Sequence, residues 1–215
     1  VAVPPRHLCC GYPLLAAGMD TEYEDNMAQN RQYLASMLRN LAKQGFDVRY
    51  LATACGSCRD SLARMKLNEQ FPQLEQKDVS QIVLPLLQHE SMEAPVAPGT
   101  SVLYHAACHC EWAGVPTLKG QSQLTGALEQ LCKVKVTTIP GCCGESGMGA
   151  VTSPTIYNLL RARKKERLAG AFEPQPQTGA CYAGPILVGC PSCKIGIARC
   201  LIQLKEKHPV LHVLE

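Results

Sequence analysis

A pair of adjacent cysteines followed by glycine occurs twice in the chain, and each copy precedes a CxxC motif at a similar interval. The first copy combines Cys9-Cys10-Gly11 with Cys55-Gly-Ser-Cys58, and the second combines Cys142-Cys143-Gly144 with Cys190-Pro-Ser-Cys193. In the second copy, Cys108 lies upstream of the vicinal pair. Adjacent cysteines rarely bridge to each other, whereas two thiolates can face one soft metal centre. The doubled pattern therefore predicts metal sites in two homologous halves.

The cysteines are numerous and clustered in a chain of otherwise ordinary composition. Of 215 residues, 13 are cysteine, while 46% are apolar and 18% are charged, as in many globular proteins. Cysteines in CC and CxxC clusters favour metal ligation in a reducing compartment over a disulfide scaffold, with a metal-free thiol framework as the alternative. A formal charge of +3 is too small to indicate nucleic-acid binding, and no apolar run has the length of a membrane span.

Proline and glycine mark a connection over Met92–Gly99, so we expect a first half over residues 1–97 and a second half over residues 98–215. Both ends of the chain look cut. Val1 is not an initiator methionine, and the last residues, from Pro209 onward, resemble a strand or the start of a helix. We therefore expect a fragment of a longer protein, with the first half truncated at its N-terminus.

Hydrophobic periodicity and end signals predict alternating strands and helices in each half. Predicted helices cover residues 21–45, 59–66, 78–87, 121–131, 153–170 and 194–207, and predicted strands cover 46–54, 100–105, 134–139 and 185–188. We expect a capping box at Thr21–Glu24 and a mostly buried strand over residues 46–54. In the helix that starts at Ser153-Pro154, the expected buried face comprises Ile156, Leu159 and Leu160. The predicted fold class is α/β, with two pseudo-repeated parallel-sheet halves and flanking helices.

Each cysteine cluster of the second half follows a predicted strand. Parallel sheets gather the loops beyond their C-terminal strand ends, so these clusters are expected to meet there. Cys55 and Cys58 are expected at a strand-to-helix turn, where unpaired backbone N–H groups lower the pKa of a thiol. At Gly11 we expect a backbone conformation or a close approach that a Cβ atom blocks.

The type of ligand limits the metal. Four or five thiolates without a well-placed carboxylate select zinc or an iron–sulfur cluster. Zinc usually takes four ligands, so a five-cysteine set that includes a vicinal pair favours iron–sulfur, with zinc as the alternative.

The C…CCG…CxxC pattern, complete in the second half and partial in the first, resembles the cysteine-rich CCG domain. That domain occurs in the cysteine-rich subunit of heterodisulfide reductase, in the iron–sulfur subunits of glycolate oxidase and anaerobic glycerol-3-phosphate dehydrogenase, and in C-terminal parts of FAD-linked oxidases. The resemblance covers nearly the whole chain. More narrowly, several segments are similar to the C-terminal region of FAD-binding oxidoreductases of the D-lactate dehydrogenase type: Leu8–Pro13, Cys55–Cys58, Tyr104–His105 with Cys108–His109, Cys143–Gly147 and Arg161–Glu166.

The resemblance implies a four-iron four-sulfur (4Fe–4S) cluster for each full motif, which in heterodisulfide reductase is a noncubane cluster held by five cysteines. Carried over to this sequence, the second site comprises Cys108, Cys142, Cys143, Cys190 and Cys193, and the first comprises Cys9, Cys10, Cys55 and Cys58. The fifth cysteine of the first site, expected upstream of Cys9, is absent. The first site is therefore incomplete, uses four ligands or takes another residue.

The resemblance also implies a function. The chain would relay electrons to a quinone or another acceptor from a flavoprotein domain or subunit that carries FAD and oxidises a 2-hydroxy acid such as D-lactate or glycolate. Such a module is part of an oxidoreductase and is not catalytic alone. Its expected location is cytoplasmic, either free or peripheral at the inner face of the membrane. Two alternatives stay open: a thiol- or disulfide-reducing noncubane-cluster subunit, and a zinc-bound structural module.

Several other residues each have two interpretations. His105 and His109 flank Cys108 and either tune a cluster by hydrogen bonding or are satisfied by backbone groups. The basic run Arg161–Arg167 is interpreted as a solvated helix face, with docking of an acidic partner or membrane surface as the alternative. Glu145 and Ser146 are expected to cap their turn. The remaining cysteines match no motif and are expected to be small buried residues or surface thiols: Cys110, Cys132, Cys181 and Cys200.

Overall fold

The computed structural model describes residues 1–5, 7–87, 97–109, 112, 114, 116–145, 149–174, 179 and 181–215. Its helices in chain order are α1 Tyr12–Ala16, α2 Asp20–Lys43, α3 Gly56–Arg64, α4 Val79–Leu87, α5 Thr117–Cys132, α6 Gly149–Thr152, α7 Pro154–Phe172 and α8 Pro191–Leu204. Its strands are β1 Tyr50–Thr53, β2 Glu75–Asp78, β3 Ser101–His105, β4 Lys135–Ile139, β5 Ile186–Val188 and β6 Val210–His212. Of the predicted connection Met92–Gly99, only residues 97–99 are described. Among the described helices, none is both long and apolar enough to cross a bilayer.

The strands form two sheets in which every pairing is parallel, which confirms the predicted fold class. One sheet pairs β1 with β2, and the other has the order β4-β3-β5-β6. In the larger sheet, His105 at the end of β3 lies opposite Ile139 of β4 and Val188 of β5. These three strands therefore end level with one another, and the segments that follow them begin at the same edge.

The smaller sheet differs from its prediction. Only Tyr50–Thr53 of the expected strand over residues 46–54 pairs, and Tyr50 is 45% exposed, so the expectation of a mostly buried strand is wrong. Its partner β2 has the sequence Glu-Gln-Lys-Asp and contains no apolar residue. Hydrophobic periodicity does not detect such a strand. Among the described residues this sheet has two strands, so each of them has one unpaired edge there.

Helix α2 ends as predicted but starts differently. Its first residue is Asp20, and no side chain caps it, so the capping box at Thr21–Glu24 is wrong. At the other end Gly45 has φ +86°, and Phe46 N–H donates to the Leu41 carbonyl at 3.0 Å. This is the Schellman arrangement that a glycine after the last turn allows. The short helix α1, which places Pro13 in its first turn, precedes α2 and was not predicted.

Helix α7 turns a different face to the core from the one predicted. Ser153 precedes Pro154 at its N-terminus as expected, although the serine side chain makes no capping hydrogen bond. Ile156 and Leu159 are 59% and 60% exposed, so the predicted buried face is wrong. The buried residues lie four positions apart and continue past Gly170: Lys164, Leu168 and Phe172.

The two predicted halves pack against each other. Leu84 of α4 precedes the predicted boundary, yet it is buried with Tyr104 of β3 and Leu124 of α5. Cys55, at the start of α3, packs against the core beneath the larger sheet, which includes Ile197 of α8. Burial of each large apolar side chain contributes about 1.5–3 kcal/mol relative to its exposure. The contact between the halves is therefore part of the apolar core.

Candidate metal centre

The second half brings its five motif cysteines to one edge of the larger sheet. The order along the chain is Cys108 after β3, Cys142 and Cys143 after β4, and Cys190 and Cys193 after β5. Cys190 is the N-cap residue of α8, and Cys193 lies in the first turn of that helix. Because the three strands end level, the segments that carry these cysteines meet there.

The first half repeats this placement at α3. Cys55 is the N-cap residue of α3, and Cys58 lies in its first turn. Cys10 precedes α1, and its thiol hydrogen-bonds to Cys58. The side chain of Cys9 is exposed and makes no hydrogen bond to another sulfur in the part of the chain that the structure describes. Its backbone carbonyl instead accepts from Asn30 Nδ2 at 2.7 Å.

Eight sulfurs form one continuous series of interacting neighbours that runs through both halves, here called the sulfur row. Its order is Cys10, Cys58, Cys55, Cys190, Cys193, Cys143, Cys142 and Cys108. The link between the halves is the contact of Cys55 Sγ with Cys190 Sγ at 3.5 Å. The sequence pattern predicts two separate sites, whereas the structure places them side by side.

Two sulfurs of the row are stabilised as thiolates. The pKa of Cys55 falls from 9.0 to about 2 because the thiols of Cys190 and Cys58 donate to it, with further help from backbone N–H groups at the start of α3. The pKa of Cys142 also falls to about 2, through donation from Cys108 and Cys143. The Gly144 N–H adds a hydrogen bond to Cys142 Sγ at 3.4 Å. Each half thus holds one thiolate before any metal binds.

The thiols that donate these hydrogen bonds keep their protons. The pKa of Cys58 is raised because its single proton is shared between the sulfurs of Cys10 and Cys55, and the pKa of Cys108 is raised because it donates to Cys142. Cys10, which accepts from Cys58, has its pKa lowered to about 7. Protons are therefore shared along the row, and metal binding would displace them.

A glycine follows each vicinal pair for the same steric reason. Gly11 has φ +79° and Gly144 has φ +71°, which is left-handed backbone. A Cβ atom on Gly11 would lie 2.8 Å from Asn26 Oδ1, and one on Gly144 would lie 3.0 Å from the Arg161 Cβ. The prediction for Gly11 is confirmed, and it extends to the second copy.

A buried lysine and histidine lie beside the second vicinal pair. Lys164 Nζ is 2.9 Å from His105 Nδ1 and donates to the Pro140 carbonyl at 2.8 Å. Burial lowers the pKa of His105 to about 3 and the pKa of Lys164 to about 8. His105 is therefore neutral, and its Nδ1 accepts from Lys164. The two sequence interpretations named a cluster and backbone groups as its partners, and neither named a lysine.

A second polar network joins the two halves near the ends of the sulfur row. Tyr12 O–H donates to His109 Nε2 at 2.6 Å, and His109 Nδ1–H donates to the Asp60 carboxylate. Arg59 also donates to Asp60 through Nη2, and its Nη1 donates to the Trp112 carbonyl at 2.5 Å. Burial raises the pKa of Tyr12 to about 12, so its hydroxyl stays a donor. Both helices of the first half that adjoin motif cysteines are thereby tied to the second.

Three residues of the basic run of α7 contact the backbone on either side of the second vicinal pair. Arg161 donates to the Gly144 carbonyl at 3.2 Å, and Arg167 donates to the Pro140 carbonyl at 2.9 Å. The interpretation of this run as a solvated face is wrong for Lys164, which is buried, whereas Arg161 is half-buried and Arg167 is exposed. Glu145 pairs with Arg199 at 2.6 Å, and Ser146 lies outside the described residues.

The donor set fits a thiophilic metal group. A ring nitrogen of His105 and the Sγ atoms of Cys143 and Cys193 all lie within 4.8 Å of one another. His105 Nε2 is shielded from water and has no hydrogen-bond partner among the described residues, as expected of a group that a bound species would satisfy. Sulfur-only ligation suits an iron–sulfur cluster, and a mixed sulfur and imidazole set suits zinc.

Three polar residues of the centre were not predicted. Lys164 could have been found, because it shares the four-residue spacing of Leu168 and Phe172. Nothing in the sequence indicates a role for Asp60 or Tyr12, except that each lies two positions after a motif cysteine. Of the cysteines outside the motifs, Cys200 is buried in the core, Cys132 is half-buried, Cys181 is exposed and Cys110 lies outside the described residues.

Comparison with known families agrees with the motif geometry. A family model described as a cysteine-rich domain, CCG, matches residues 1–63 and 102–198, which together make up more than half of the chain. Each matched range contains one vicinal pair followed by glycine and one CxxC motif. Searches of curated proteins and of solved structures found no significant match.

Proposed function

Because the chain belongs to the cysteine-rich CCG domain family, we propose that it is an iron–sulfur electron-transfer module of a larger flavin-dependent oxidoreductase. The observation that carries this proposal is the sulfur row. Its central members Cys190, Cys193 and Cys143 are buried, whereas Cys108 at one end is exposed and Cys10 at the other is half-buried. A row that is closed in the middle and open at both ends suits entry of electrons at one end and exit at the other.

The proposed ligands follow the two copies of the motif. The second site would use Cys108, Cys142, Cys143, Cys190 and Cys193, and the first would use Cys10, Cys55 and Cys58 together with Cys9. A 4Fe–4S cluster, when bound, supplies one-electron transfer at a potential set by its surroundings. Cys55 and Cys190 belong to different sites in this assignment, and their 3.5 Å contact supports transfer between the sites.

Other residues prepare the site for a negatively charged group. The Cys55 and Cys142 thiolates are available without a large cost of deprotonation. The Lys164 ammonium and the Arg161 guanidinium lie on α7 next to the second vicinal pair, and their charges offset those of the thiolates. The buried sulfurs exclude water, which strengthens these electrostatic interactions.

The proposed partners come from the similarity to FAD-linked oxidases. We propose a flavoprotein domain or subunit as the electron donor, acting on a 2-hydroxy acid such as D-lactate or glycolate, and a quinone or another acceptor. The two open ends of the sulfur row, at Cys10 and Cys108, are suitable positions for such partners.

A zinc-bound structural module is a second candidate, because one observation favours it. The cluster of His105 with Cys143 and Cys193 has the mixed donors that zinc accepts. A third candidate, a thiol- or disulfide-reducing subunit, is favoured by the half-buried Cys142 thiolate beside the exposed Cys108.

Anaerobic reconstitution with ferrous iron and sulfide tests the proposal. The wild-type chain, Cys143→Ser and the control Cys200→Ser would be analysed for iron, sulfide and zinc and by electron paramagnetic resonance (EPR). Cys200 is as buried as Cys143 but lies outside the sulfur row, so its replacement tests for a general loss of folding. We expect about four irons per occupied site, with one site lost in Cys143→Ser and none lost in Cys200→Ser.

Two results would contradict the proposal. Stoichiometric zinc that iron and sulfide cannot replace would favour the structural module. Iron content equal in the wild type and Cys143→Ser would show that the second vicinal pair does not hold a cluster.

A further inference from the structure

Lys164 is a charged side chain in the core whose donors are all used. It is 1% exposed, and its Nζ lies 2.8 Å from the Pro140 carbonyl, 3.3 Å from the Ile139 carbonyl and 2.9 Å from His105 Nδ1. An ammonium group has three N–H donors and no acceptor. Each donor therefore meets one acceptor, and the acceptor on the histidine is Nδ1.

The tautomer of His105 follows from this hydrogen bond. A neutral imidazole that accepts at Nδ1 carries its proton on Nε2. His105 is fully buried, and burial keeps it neutral near neutral pH. Its Nε2–H is then a donor without a partner among the described residues. A ring nitrogen that carries a proton offers no lone pair to a metal.

Two cysteine sulfurs lie close to the ring that carries this donor. A ring nitrogen of His105 lies within 4.8 Å of Cys143 Sγ and Cys193 Sγ, and Lys164 occupies Nδ1. The register of β3 with β4 and β5 holds His105 at the sheet edge where these cysteines meet. The Nε2–H group lacks a partner among the described residues, so these thiols are its candidate acceptors.

We propose that Lys164 is a positioning residue that fixes His105 in the Nε2–H tautomer, so that His105 donates a hydrogen bond to sulfur at the second site and does not ligate a metal. The proposal rests on the proposed iron–sulfur function and deepens it, because it assigns sulfur-only coordination to this site. An N–H···S hydrogen bond and a nearby ammonium both stabilise the additional negative charge of a reduced cluster. They therefore raise its reduction potential.

The tautomer can be measured without any metal. Long-range ¹H–¹⁵N correlation spectra of the metal-free, reduced full chain distinguish the two ring nitrogens of His105 at neutral pH. The variants are Lys164→Met and the control Lys165→Met, which removes one charge from the neighbouring position of α7. In Lys164→Met the Ile139 and Pro140 carbonyls lose their donor, so we expect the histidine proton to move to Nδ1 and donate to one of them.

The wild type and Lys165→Met are expected to show Nε2–H, and Lys164→Met is expected to show Nδ1–H. An Nδ1–H tautomer in the wild type would overturn the proposal, and so would an unchanged tautomer in Lys164→Met. If Lys164→Met does not fold, the wild-type spectrum still decides, because only Nε2–H is compatible with donation to sulfur.

His105→Gln separates this proposal from the proposed function, since glutamine keeps an N–H donor but has no imidazole lone pair. Iron loading equal to wild type, with a shifted reduction potential, supports donation to sulfur, and loss of one site overturns it. If the chain binds no iron, absorption spectra of Co²⁺ bound in place of zinc give the answer. If the Co²⁺ spectra show sulfur ligands only, the role of His105 is supported although the cluster proposal has failed. If they show a nitrogen ligand that is lost in His105→Gln, the role of His105 is overturned.

Discussion

At the scale of single residues, the metal-free sulfur row consists of protonated thiols that stabilise the thiolates of their neighbours. Cys55 and Cys142 accept hydrogen bonds from two thiols each, and their pKa values fall to about 2. The backbone holds these cysteines in place without strain. The CxxC residues lie at helix N-termini, and a glycine in the left-handed conformation follows each vicinal pair. The same sulfur atoms therefore contribute to the stability of the metal-free fold and supply the thiolates that bind a metal.

The Cys55 thiolate makes the stability of the metal-free chain depend on pH. Its folded pKa of about 2 lies below the ordinary value of 9.0, so the folded chain holds fewer protons than the unfolded chain between these values. The stabilisation is complete above pH 9.0 and is lost progressively as pH falls toward 2. Cys58 keeps its proton through this window because its pKa is raised.

We therefore expect the difference in free energy of unfolding between the wild type and Cys55→Ser to shrink as the pH is lowered from 9.0. Urea unfolding under reducing, metal-free conditions measures it. Cys181→Ser, at an exposed position, is the control and should change nothing with pH. A difference that stays constant across the window would contradict the thiolate assignment.

Gly144→Ala tests the left-handed turn after the second vicinal pair. Alanine at φ +71° is strained, and its Cβ would approach the Arg161 backbone N to 3.1 Å. We expect a loss of about 1–3 kcal/mol in unfolding free energy together with weaker metal loading at the second site. In the control Gly170→Ala, a helical position with open space, a gain of about 0.5–1 kcal/mol is expected. Equal effects of the two substitutions would refute the steric argument.

At the scale of helices and strands, the centre depends on how closely α3 approaches the second half. Gly56, the first residue of α3, lies against the His109 carbonyl so closely that a Cβ atom would collide with it. The same approach sets the hydrogen bonds of Tyr12 and Asp60 to His109. The position of this helix is therefore fixed by backbone contact as well as by sulfur contact.

Gly56→Ala is expected to push α3 away from the second half. Trp112, the single tryptophan, reports on this, because its carbonyl accepts from Arg59 of α3 and its Nε1–H donates to Ser80 at 2.8 Å. We expect a red shift of its fluorescence and a lower urea midpoint. Gly126→Ala, a helical position of α5 with nothing nearby, is the control. Unchanged fluorescence in Gly56→Ala would show that the approach is less tight than described.

The elements also show what the sequence could predict. Strands β3, β4 and β5 and the helices α5 and α8 carry apolar periodicity, and they were found with small errors in their bounds. Strand β2 was missed because its four polar residues pair through the backbone alone. Lys164 was placed in solvent because charge normally indicates exposure. Its four-residue spacing from Leu168 indicates the buried face, but the three acceptors that satisfy its charge come from distant segments, which a local pattern does not contain.

At the scale of the whole molecule, the two copies of the motif lie in contact with each other. The spacing of the cysteines indicated which residues belong to each copy, but it contained no information on the contact of Cys55 with Cys190. That contact depends on how α3 and α8 begin next to each other across the interface of the halves. Any change at this interface should therefore affect both copies.

Mild oxidation of the metal-free chain tests this closeness directly. With glutathione disulfide as oxidant, the Cys55 thiolate is expected to attack and release one glutathione, which leaves a mixed disulfide. Cys190 then loses its proton and displaces the second glutathione, so that two electrons pass from the pair to the oxidant. Peptide mapping by mass spectrometry identifies the product. A main product that joins Cys142 to Cys143, or that joins Cys181 to another cysteine, would contradict the interface described here.

The separation of Cys55 and Cys190 along the chain, 135 residues, has a consequence for biosynthesis. The ribosome releases the first CCG and CxxC motifs long before it adds the residue that lies against them. During that interval Cys10, Cys55 and Cys58 are nascent thiols without their neighbours, open to oxidants and to stray metal ions. The complete sulfur row accordingly forms late, because it requires that α8 has been synthesised and has folded next to α3.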